Sequence, residues 1–221
     1  PVGSCKYSQI TVFSFHPVKI ITTGEGGLAT TNNIELMQRM VDLRSHGVIK
    51  DPQRFEYPDA GPWSYEQHHL GFNYKMNDIQ AALGLSQLQR LEEIVIERNR
   101  LLERYRGLLI DLPVDLLKVP VDVLSSVHLA VIRLSDSDPM LHHRVFKGLR
   151  EVGIGVQLHY TPVHLQPYYR KLGFQRGHCP EAEDYSTNAI SIPLFESLRD
   201  DQQLYIVAKL QQLLNIMKSP V

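Results

Sequence analysis

Hydrophobic residues recur between positions 34 and 45 at the three- and four-residue spacing of an amphipathic helix. They are Leu36, Met37, Met40, Val41 and Leu43. Asn33 stands just before this stripe, where a side-chain oxygen can cap the first turn of a helix, and Gly47 stands just after it, where a glycine commonly ends one. The pattern therefore predicts a helix over about 34–45 that ends before Gly47.

A second stripe of apolar residues begins after Asn77. Asn77 and Gln80 have the spacing of a capping box, in which each side chain accepts a hydrogen bond from the backbone amide of the other residue. The apolar positions that follow are Ile79, Leu83, Leu88, Leu91 and Val95. This spacing predicts one helix that runs to about Leu109 and spans roughly 45 Å, long enough to connect two domains or line a subunit contact.

Two runs near the start of the chain, at 10–15 and 20–23, are rich in β-branched and aromatic residues and predict β-strands. His16-Pro17 separates them, and a glycine-rich segment, Gly24-Glu25-Gly26-Gly27, precedes a third run at 28–31. A phosphate-binding P-loop would need a Lys-Ser or Lys-Thr end followed directly by a helix, whereas a strand-like run follows here. The glycines are therefore predicted to form turns.

Residues 48–72 are rich in proline, glycine, aspartate and aromatic residues, which predicts an ordered but irregular excursion of a kind that often carries function. Beyond Pro113 and Pro120 the periodicity alternates. Strands are predicted near 127–134 and 154–160, and helices near 139–152, 180–189 and 201–216. This alternation predicts a small α/β domain in the second half of the chain.

Composition and charge narrow the range of functions. The chain has 221 residues, 43% of them hydrophobic and 21% charged, which is ordinary for a folded protein with a sizeable core. Its 23 basic and 24 acidic residues give a net charge of −1 with no long run of one sign. The sequence therefore predicts no electrostatic surface for nucleic acid or for an anionic membrane, and small polar partners fit it better.

Cysteine usage and the start of the chain bear on its location. The two cysteines, Cys5 and Cys179, lack C-x-x-C spacing, and no apolar run approaches the length of a membrane span. Two cysteines are too few for a secreted disulfide scaffold, so we expect a protein of the reducing cytoplasm. Because no basic and then apolar signal pattern opens the chain, we also expect it to be soluble. The first four residues lack an initiator methionine and lead directly into a strand-like run, so we also expect sequence upstream.

Ten histidines raise the question of a metal site. Two pairs are adjacent in sequence, His68-His69 and His142-His143, but adjacent side chains on a helix or strand point apart and do not readily share one ion. His178-Cys179 is isolated in the same way. The spacing therefore predicts no metal site, and most of these histidines are expected on the surface or in packing.

Lys19 is the strongest candidate for chemistry. A lone lysine is usually a solvated surface group. Lys19, however, follows the segment Phe13-Ser14-Phe15-His16-Pro17-Val18 and precedes Ile20-Ile21, an apolar setting where burial would favour the neutral amine. A neutral lysine amine is the form that Schiff-base chemistry requires, so the setting indicates a nucleophilic lysine.

The stretch FSFHPVKIITTGEGG around Lys19 resembles the lysine segment of the DegT/DnrJ/EryC1/StrS aminotransferases, α/β enzymes of PLP fold type I that act on nucleotide-linked keto sugars. Three further stretches resemble the same family in the same order: RSHG at 44–47, EQHHLGFNYKMNDIQAALGLSQLQRL at 66–91 and GVQLHYTPVHLQPYYRKLGF at 155–174. The last is most similar to members that act in pseudaminic acid biosynthesis. Four ordered segments make this resemblance more specific than any single motif.

The resemblance implies that Lys19 holds pyridoxal 5′-phosphate (PLP) as a Schiff base and moves the proton between substrate and cofactor. Related dehydratases have histidine at this position, so the lysine implies transamination. Ser14 matches a serine that bonds the PLP phosphate. Asn73 matches an asparagine that reaches the phosphate of the neighbouring subunit's cofactor, and a simple turn residue is the alternative.

The resemblance also implies a sugar site in the second half of the chain. His159, Tyr160 and His164 fall where the family places groups near the sugar, and packing roles are the alternative for each. Arg44 and His46 fall in a similar loop without an implied role.

The implied reaction has two halves, in which L-glutamate gives its amino group to PLP and the cofactor then aminates a nucleotide-linked 4-keto-6-deoxy sugar. A homodimer is implied as well, because each site would be built from two chains. The implied fold type I architecture has two parts here. Residues 1–110 would form an incomplete large PLP-binding domain with the long connecting helix, and residues 111–221 a small C-terminal α/β domain.

The chain departs from the family at its start. The family's phosphate-binding helix start, its ring-stacking aromatic residue and its aspartate for the pyridine nitrogen all precede the lysine, whereas only 18 residues precede Lys19 and none is acidic. Three explanations are open: a truncated sequence, which is favoured, an enzyme split across two chains, or a catalytically inactive homologue that acts as a dimerising or binding module. The last predicts exposed apolar surface and no bound PLP.

Overall fold

The structure, a computed structural model, describes residues 1–57, 61–136 and 138–215. The chain folds into two compact units, residues 1–91 and residues 92–221. Among the described residues, none of the helices combines the length and the apolar composition that a membrane-spanning helix needs.

The first unit contains two small antiparallel sheets and two helices. Strand β1 pairs with β2, and β3 pairs with β4. The elements are β1 (Thr11–Ser14), β2 (Gly27–Thr30), α1 (Ile34–Arg44), β3 (Val48–Ile49), a 3₁₀ turn (Pro52–Arg54), β4 (Glu66–Gln67) and α2 (Asp78–Leu88). Residues 58–60 of the predicted excursion lie outside the described residues.

Both helix starts predicted in this unit are confirmed. The Asn33 side chain accepts hydrogen bonds from the backbone amides of Glu35 and Leu36, and Asn77 and Gln80 form the reciprocal capping box. The predicted strand at 20–23 is wrong, because this run belongs to the loop between β1 and β2 and two of its residues bond back to a single carbonyl instead of forming a ladder.

The predicted single helix from Asn77 to Leu109 is interrupted. Helix α2 ends at Leu88, Gln89 and Arg90 form a turn, and helix α3 covers Leu91–Leu108. The backbone N–H of Arg90 donates to the carbonyl of Gln87 at 3.0 Å, and this tighter three-residue spacing ends α2. No proline or glycine marks the break, so the apolar stripe alone does not reveal it. The domain assignment 1–110 and 111–221 stays a prediction.

The second unit is an antiparallel sheet with helices, in the strand order β5-β6-β7. After α3 its elements are β5 (Val114–Leu116), β6 (Ala130–Leu134), α4 (Pro139–Glu151), a 3₁₀ turn (Val163–Leu165), α5 (Pro167–Lys171), α6 (Pro180–Asn188), β7 (Ala189–Ile192) and α7 (Asp200–Asn215). Strand β6 and helices α4, α6 and α7 confirm the sequence predictions, apart from position 216, which lies outside the described residues. The predicted strand at 154–160 is wrong, because only Gln157 pairs there, in an isolated bridge with Ser191.

The hydrophobic core lies in the second unit. Helices α3, α4 and α7 contribute to it together with all three strands, through buried residues such as Tyr105, Ile132, Val145 and Leu210. In the described part of the first unit, by contrast, Ile49 is the one buried hydrophobic residue. Large apolar side chains are exposed on that unit, among them Trp63, Leu70 and Ile79, which are 81%, 92% and 84% exposed.

Candidate functional site

Lys19 lies in the loop that joins β1 to β2, residues 15–26. Its backbone N–H donates to the carbonyl of His16 at 2.9 Å, so the segment from His16 to Lys19 forms a closed turn. The Lys19 side chain is half-buried, and its amine has no hydrogen-bond or ion-pair partner in the part of the chain that the structure describes. The turn therefore presents a primary amine that is available to react.

The carbonyl of Phe15 closes the base of this loop. It accepts hydrogen bonds from the backbone N–H of Thr23 at 3.0 Å and from the hydroxyl of Thr22 at 2.9 Å. The N–H of Phe15 donates in turn to the carbonyl of Gly26 at 2.9 Å, which continues the β1–β2 ladder by one more bond. Lys19 is thus held in a sub-loop whose two ends are joined by hydrogen bonds.

Ser14 is the last residue of β1 and pairs with Gly27, the first residue of β2. Its side chain is exposed, and its Oγ accepts a long hydrogen bond of 3.4 Å from the N–H of His16. The Ser14 hydroxyl hydrogen has no acceptor among the described residues. Ser14 and Lys19 therefore belong to one hairpin and carry polar groups that are both available to a ligand.

Asn73 lies on the segment that runs beside the C-terminal end of α1. The backbone around it is pinned by three hydrogen bonds, from the N–H of Phe72 to the carbonyl of Leu43, from that of Tyr74 to the carbonyl of Arg44, and from that of His46 to the carbonyl of Phe72, at 2.7, 2.9 and 2.7 Å. The Asn73 side chain is exposed. The backbones of Arg44 and His46 therefore position Asn73, a role that the sequence alone did not assign.

Two glycines allow this close approach. A β-carbon on Gly47 would lie 1.9 Å from the carbonyl oxygen of His69, and one on Gly71 would lie 2.3 Å from the amide nitrogen of Gly47. Gly47 also has a positive φ of +70°, a conformation that side-chain-bearing residues rarely adopt. The RSHG segment and the segment that carries Asn73 therefore pack against each other with their backbones in direct contact.

Two carboxylates, Asp42 and Glu66, bond to residues of the irregular segment 48–72. The sequence analysis singled out neither of them. Asp42 is buried on α1 and accepts hydrogen bonds from Arg54 and from Gln38, and the bonds from the Arg54 guanidinium hold the pKa of the Asp42 carboxyl below its usual range. The sequence did contain one indication of this role, because Asp42 is a charged residue inside the apolar stripe of α1, between Val41 and Leu43. The groove beside it, about 590 Å³, includes none of the predicted site residues.

Glu66 is the second of these carboxylates. It accepts hydrogen bonds from the backbone amides of Glu56 and Tyr57, each at 2.7 Å, and lies 2.5 Å from Nε2 of His68. Burial opposes ionisation of Glu66, but the bonds from His68 and from the two amides hold its pKa below the usual range. His68 therefore has a local structural partner.

The predicted sugar-site residues lie in the second unit. His159 is half-buried, with Nδ1 2.8 Å from the hydroxyl of Ser191, and its ring meets that of Tyr160 edge to face at 4.7 Å between centroids. Tyr160 is 68% exposed. His164 is buried, and its Nε2 lies 2.8 Å from Oε1 of Glu183. Hydrogen bonding to His164 is the main cause that lowers the pKa of the Glu183 carboxyl.

The structure therefore places Lys19, Ser14 and Asn73 in the first unit and His159, Tyr160 and His164 in the second. Within the first unit, Lys19 and Ser14 share a hairpin. Within the second, His159 and Tyr160 are in contact, whereas the buried His164 is bonded to α6.

The sequence model of the DegT/DnrJ/EryC1/StrS aminotransferase family matches residues 2–211. The chain belongs to the DegT/DnrJ/EryC1/StrS aminotransferase family. Membership confirms the resemblance that the four sequence segments carried. The predicted cofactor is confirmed at the level of the family, because DegT/DnrJ/EryC1/StrS aminotransferases are PLP-dependent and one of the solved relatives was obtained in a PLP form.

Solved structures confirm fold type I. Spr1654 of Streptococcus pneumoniae, assigned as a sugar aminotransferase and solved in its pyridoxamine phosphate form, matches with a TM-score of 0.88 and 30% identity, over 96% of this chain and 55% of that one. Helicobacter pylori PseC, described as an aminotransferase of pseudoaminic acid biosynthesis, matches with a TM-score of 0.86 and 30% identity, over 95% of this chain and 54% of that one.

A curated relative agrees with these structures. The UDP-4-amino-4,6-dideoxy-N-acetyl-β-L-altrosamine transaminase of Campylobacter jejuni is 32% identical over 194 residues, which cover 87% of this chain and 49% of the relative. The chain spans about half the length of the curated relatives it matches, 54%, 50% and 49% of the first three.

The hairpin around Lys19 fits PLP by the chemistry of its donors. The cofactor aldehyde needs a primary amine, and its phosphate needs hydrogen-bond donors. The Lys19 amine and the Ser14 hydroxyl supply one of each: in the described ranges the amine has no partner, and the hydroxyl hydrogen has no acceptor. This hairpin is therefore the candidate cofactor site.

Proposed function

We propose that the protein is a PLP-dependent aminotransferase that transfers an amino group from L-glutamate to a nucleotide-linked 4-keto-6-deoxy sugar. The observation that carries the proposal is the Lys19 amine, which has no partner among the described residues and lies on a hydrogen-bonded turn of the family's lysine segment. When bound, PLP supplies an electron sink through which an amino group can pass between an amino acid and a keto sugar.

The residues of the hairpin have distinct parts in this proposal. Lys19 would hold the cofactor through Nζ, and its amine, once released, would accept and return the proton of the substrate carbon. Ser14 would donate its hydroxyl hydrogen to the phosphate. The turn from His16 to Lys19 fixes where the amine emerges, because a backbone hydrogen bond of 2.9 Å closes it.

Asn73 extends the proposal to a homodimer. Its exposed side chain stands on a backbone pinned to α1, which suits a group that must reach a ligand outside its own hairpin. In the proposed dimer, each Asn73 would donate a hydrogen bond from its side-chain amide to the phosphate held by the partner. A cytoplasmic location also stays a prediction of the sequence.

His159 and Tyr160 are proposed to contact the sugar. Tyr160 exposes its ring and hydroxyl, and His159 is oriented by its bond to Ser191. For His164, the buried bond to Glu183 favours the packing alternative. The similarity to PseC and to the altrosamine transaminase supports a UDP-linked substrate of a pseudaminic-acid-type pathway.

Trapping of the cofactor tests the function. Purified protein mixed with PLP should show Schiff-base absorbance, and borohydride reduction should leave a pyridoxyl group on Lys19. Lys19→Ala should lose both signals, whereas Lys6→Ala, which removes an exposed lysine from the same unit, should keep them. Schiff-base absorbance retained in Lys19→Ala would rule out the assignment.

A panel of UDP-, GDP- and dTDP-linked keto sugars tests the substrate. With L-glutamate as donor, the proposal expects the UDP-linked 4-keto-6-deoxy sugar to be aminated fastest. Faster amination of a GDP- or dTDP-linked sugar would contradict the pseudaminic-acid-type substrate and would leave the aminotransferase proposal intact.

The exposed apolar surface of the first unit supports a second candidate, a dimerising module without catalysis. Helix α2 exposes Ile79, Leu83 and Leu88, a pattern that marks interaction surfaces in other proteins. The two candidates differ in PLP binding. A protein that dimerises but gives no Schiff-base absorbance with PLP would support the module.

A further inference from the structure

The loop that carries Lys19 is fastened to helix α2 by two glutamine side chains. Oε1 of Gln87 accepts a hydrogen bond from the backbone N–H of Thr22 at 2.9 Å, and Nε2 of Gln80 donates to the carbonyl of Glu25 at 3.0 Å. Both contacts are made to loop backbone. They therefore fix the path of the chain just after Lys19 whatever side chains the loop carries.

Gly84 lies between these two glutamines on the same face of α2, because positions 80, 84 and 87 follow the helical repeat. A β-carbon on Gly84 would lie 2.8 Å from Cγ2 of Thr23, and Thr23 is only 3% exposed. The helix backbone thus packs directly on the loop, and the two glutamines bond it on either side of this contact.

The same loop is closed at its base by the carbonyl of Phe15, which accepts from Thr22 and Thr23. Thr22 is therefore bonded on two sides, through its hydroxyl to the carbonyl of Phe15 and through its amide to Gln87 of α2. Lys19 lies between the Phe15 end of the loop and this doubly bonded residue.

We propose that Gln87 and Gln80 are positioning residues for Lys19, which hold the lysine turn against α2 so that the amine meets the PLP aldehyde in one orientation. The inference rests on the proposed function of Lys19. Neither glutamine touches the cofactor in this assignment; each acts through the loop backbone.

Because the two glutamines bond to the loop through different side-chain atoms, a change to glutamate should weaken PLP binding at position 80 but not at position 87. The Gln80 side chain uses both its groups, since Oε1 accepts from the N–H of Asn77 at 3.1 Å while Nε2 donates to Glu25. Gln80→Glu keeps the acceptor of the capping box but removes the donor to the loop. In Gln87→Glu, by contrast, a carboxylate oxygen still accepts from Thr22.

The experiment compares Gln80→Glu, Gln87→Leu and Gln87→Glu with wild type and with Gln89→Leu, which changes an exposed glutamine at the end of the same helix. The PLP dissociation constant and the borohydride-trapped label on Lys19 are measured for each variant. Hydrogen exchange of the Thr22 amide gives a readout that does not depend on the cofactor.

Gln80→Glu and Gln87→Leu should each weaken PLP binding by about three- to tenfold, the effect of one lost hydrogen bond. Gln87→Leu should also speed exchange at Thr22. Gln87→Glu and Gln89→Leu should stay within about twofold of wild type, and Gln80→Glu should keep its helix content because the cap is retained.

The possible outcomes distinguish a failure of the proposed function from a failure of the positioning role. If wild type takes no label on Lys19, the proposed function fails and the positioning role falls with it. If wild type is labelled but Gln80→Glu and Gln87→Leu bind PLP like wild type, only the positioning role is overturned, even where exchange at Thr22 rises. A loss of binding in Gln87→Glu equal to that in Gln87→Leu would overturn it too.

Discussion

The backbone of Gly71 packs against that of Gly47 so closely that a β-carbon on Gly71 would lie 2.3 Å from the Gly47 amide nitrogen. Backbone cannot move aside as a flexible side chain can, so the contact requires glycine at position 71. Through it, the loop after α1 supports the segment that carries Asn73.

Gly71→Ala should therefore destabilise the protein by about 1–3 kcal/mol, the usual cost of overpacking. The measurement is the free energy of unfolding from denaturant titration. Gly107→Ala is the matched control, because a β-carbon there meets nothing within 4 Å and the site is helical, so alanine should stabilise by about 0.5–1 kcal/mol. Equal behaviour of the two variants would contradict the packing described here.

The buried Arg98 predicts a large effect of a single substitution in the second unit. Its guanidinium donates to the carbonyls of Val127, His128 and Leu194 at 2.8, 2.8 and 3.1 Å, and burial lowers its pKa below the ordinary value. Arg98→Met leaves these acceptors without that donor, and we expect a loss of about 1–3 kcal/mol in the free energy of unfolding.

The control for this variant is Arg106→Met on the same helix. Arg106 makes an exposed ion pair with Glu103, and such pairs contribute about 0–1 kcal/mol. A loss in Arg98→Met no greater than in the control would show that water replaces the buried donor.

The His164–Glu183 pair predicts a pH dependence of stability. Because the folded pKa of Glu183 is lowered, the unfolded state binds the proton more tightly, and the contribution is present above the ordinary glutamate pKa of about 4.3. It should fade as the pH falls below that value and through the lower folded pKa. Unfolding free energies measured from pH 7 down to pH 3 check the sign.

In Glu183→Gln, this part of the acid dependence should disappear and the slope below about pH 4.3 should flatten. Glu181→Gln, an exposed change on the same helix, should keep the wild-type slope. An unchanged slope in Glu183→Gln would mean that other carboxylates carry the acid dependence.

The sequence predicted the features that depend on near neighbours. Asn33 and the Asn77–Gln80 capping box predict helix starts from residues that are close together in sequence, and the structure confirms both starts. The lysine segment was recognisable because its residues are contiguous. The end of α2 at Leu88 escaped prediction, since the apolar stripe continues across the break.

Contacts between distant residues could not be predicted in the same way. Gln87 lies 65 positions after Thr22, and a polar residue on an apolar helix indicates neither its partner nor its role. Glu183 lies 19 positions after His164, so the sequence left open whether that histidine faces a ligand or a carboxylate. Only the folded chain joins such pairs.

The uneven distribution of the core gives the first unit a property of its own. With Ile49 as the one buried hydrophobic residue in its described part, that unit should open locally at a smaller free energy than the second. A ligand that binds only its closed form raises that opening energy with ligand concentration. Amide exchange across residues 1–91 should therefore slow as PLP is added, while exchange in the core of the second unit stays constant. Occupancy of the lysine turn can thus be followed by the protection of its own backbone, without an assay of turnover.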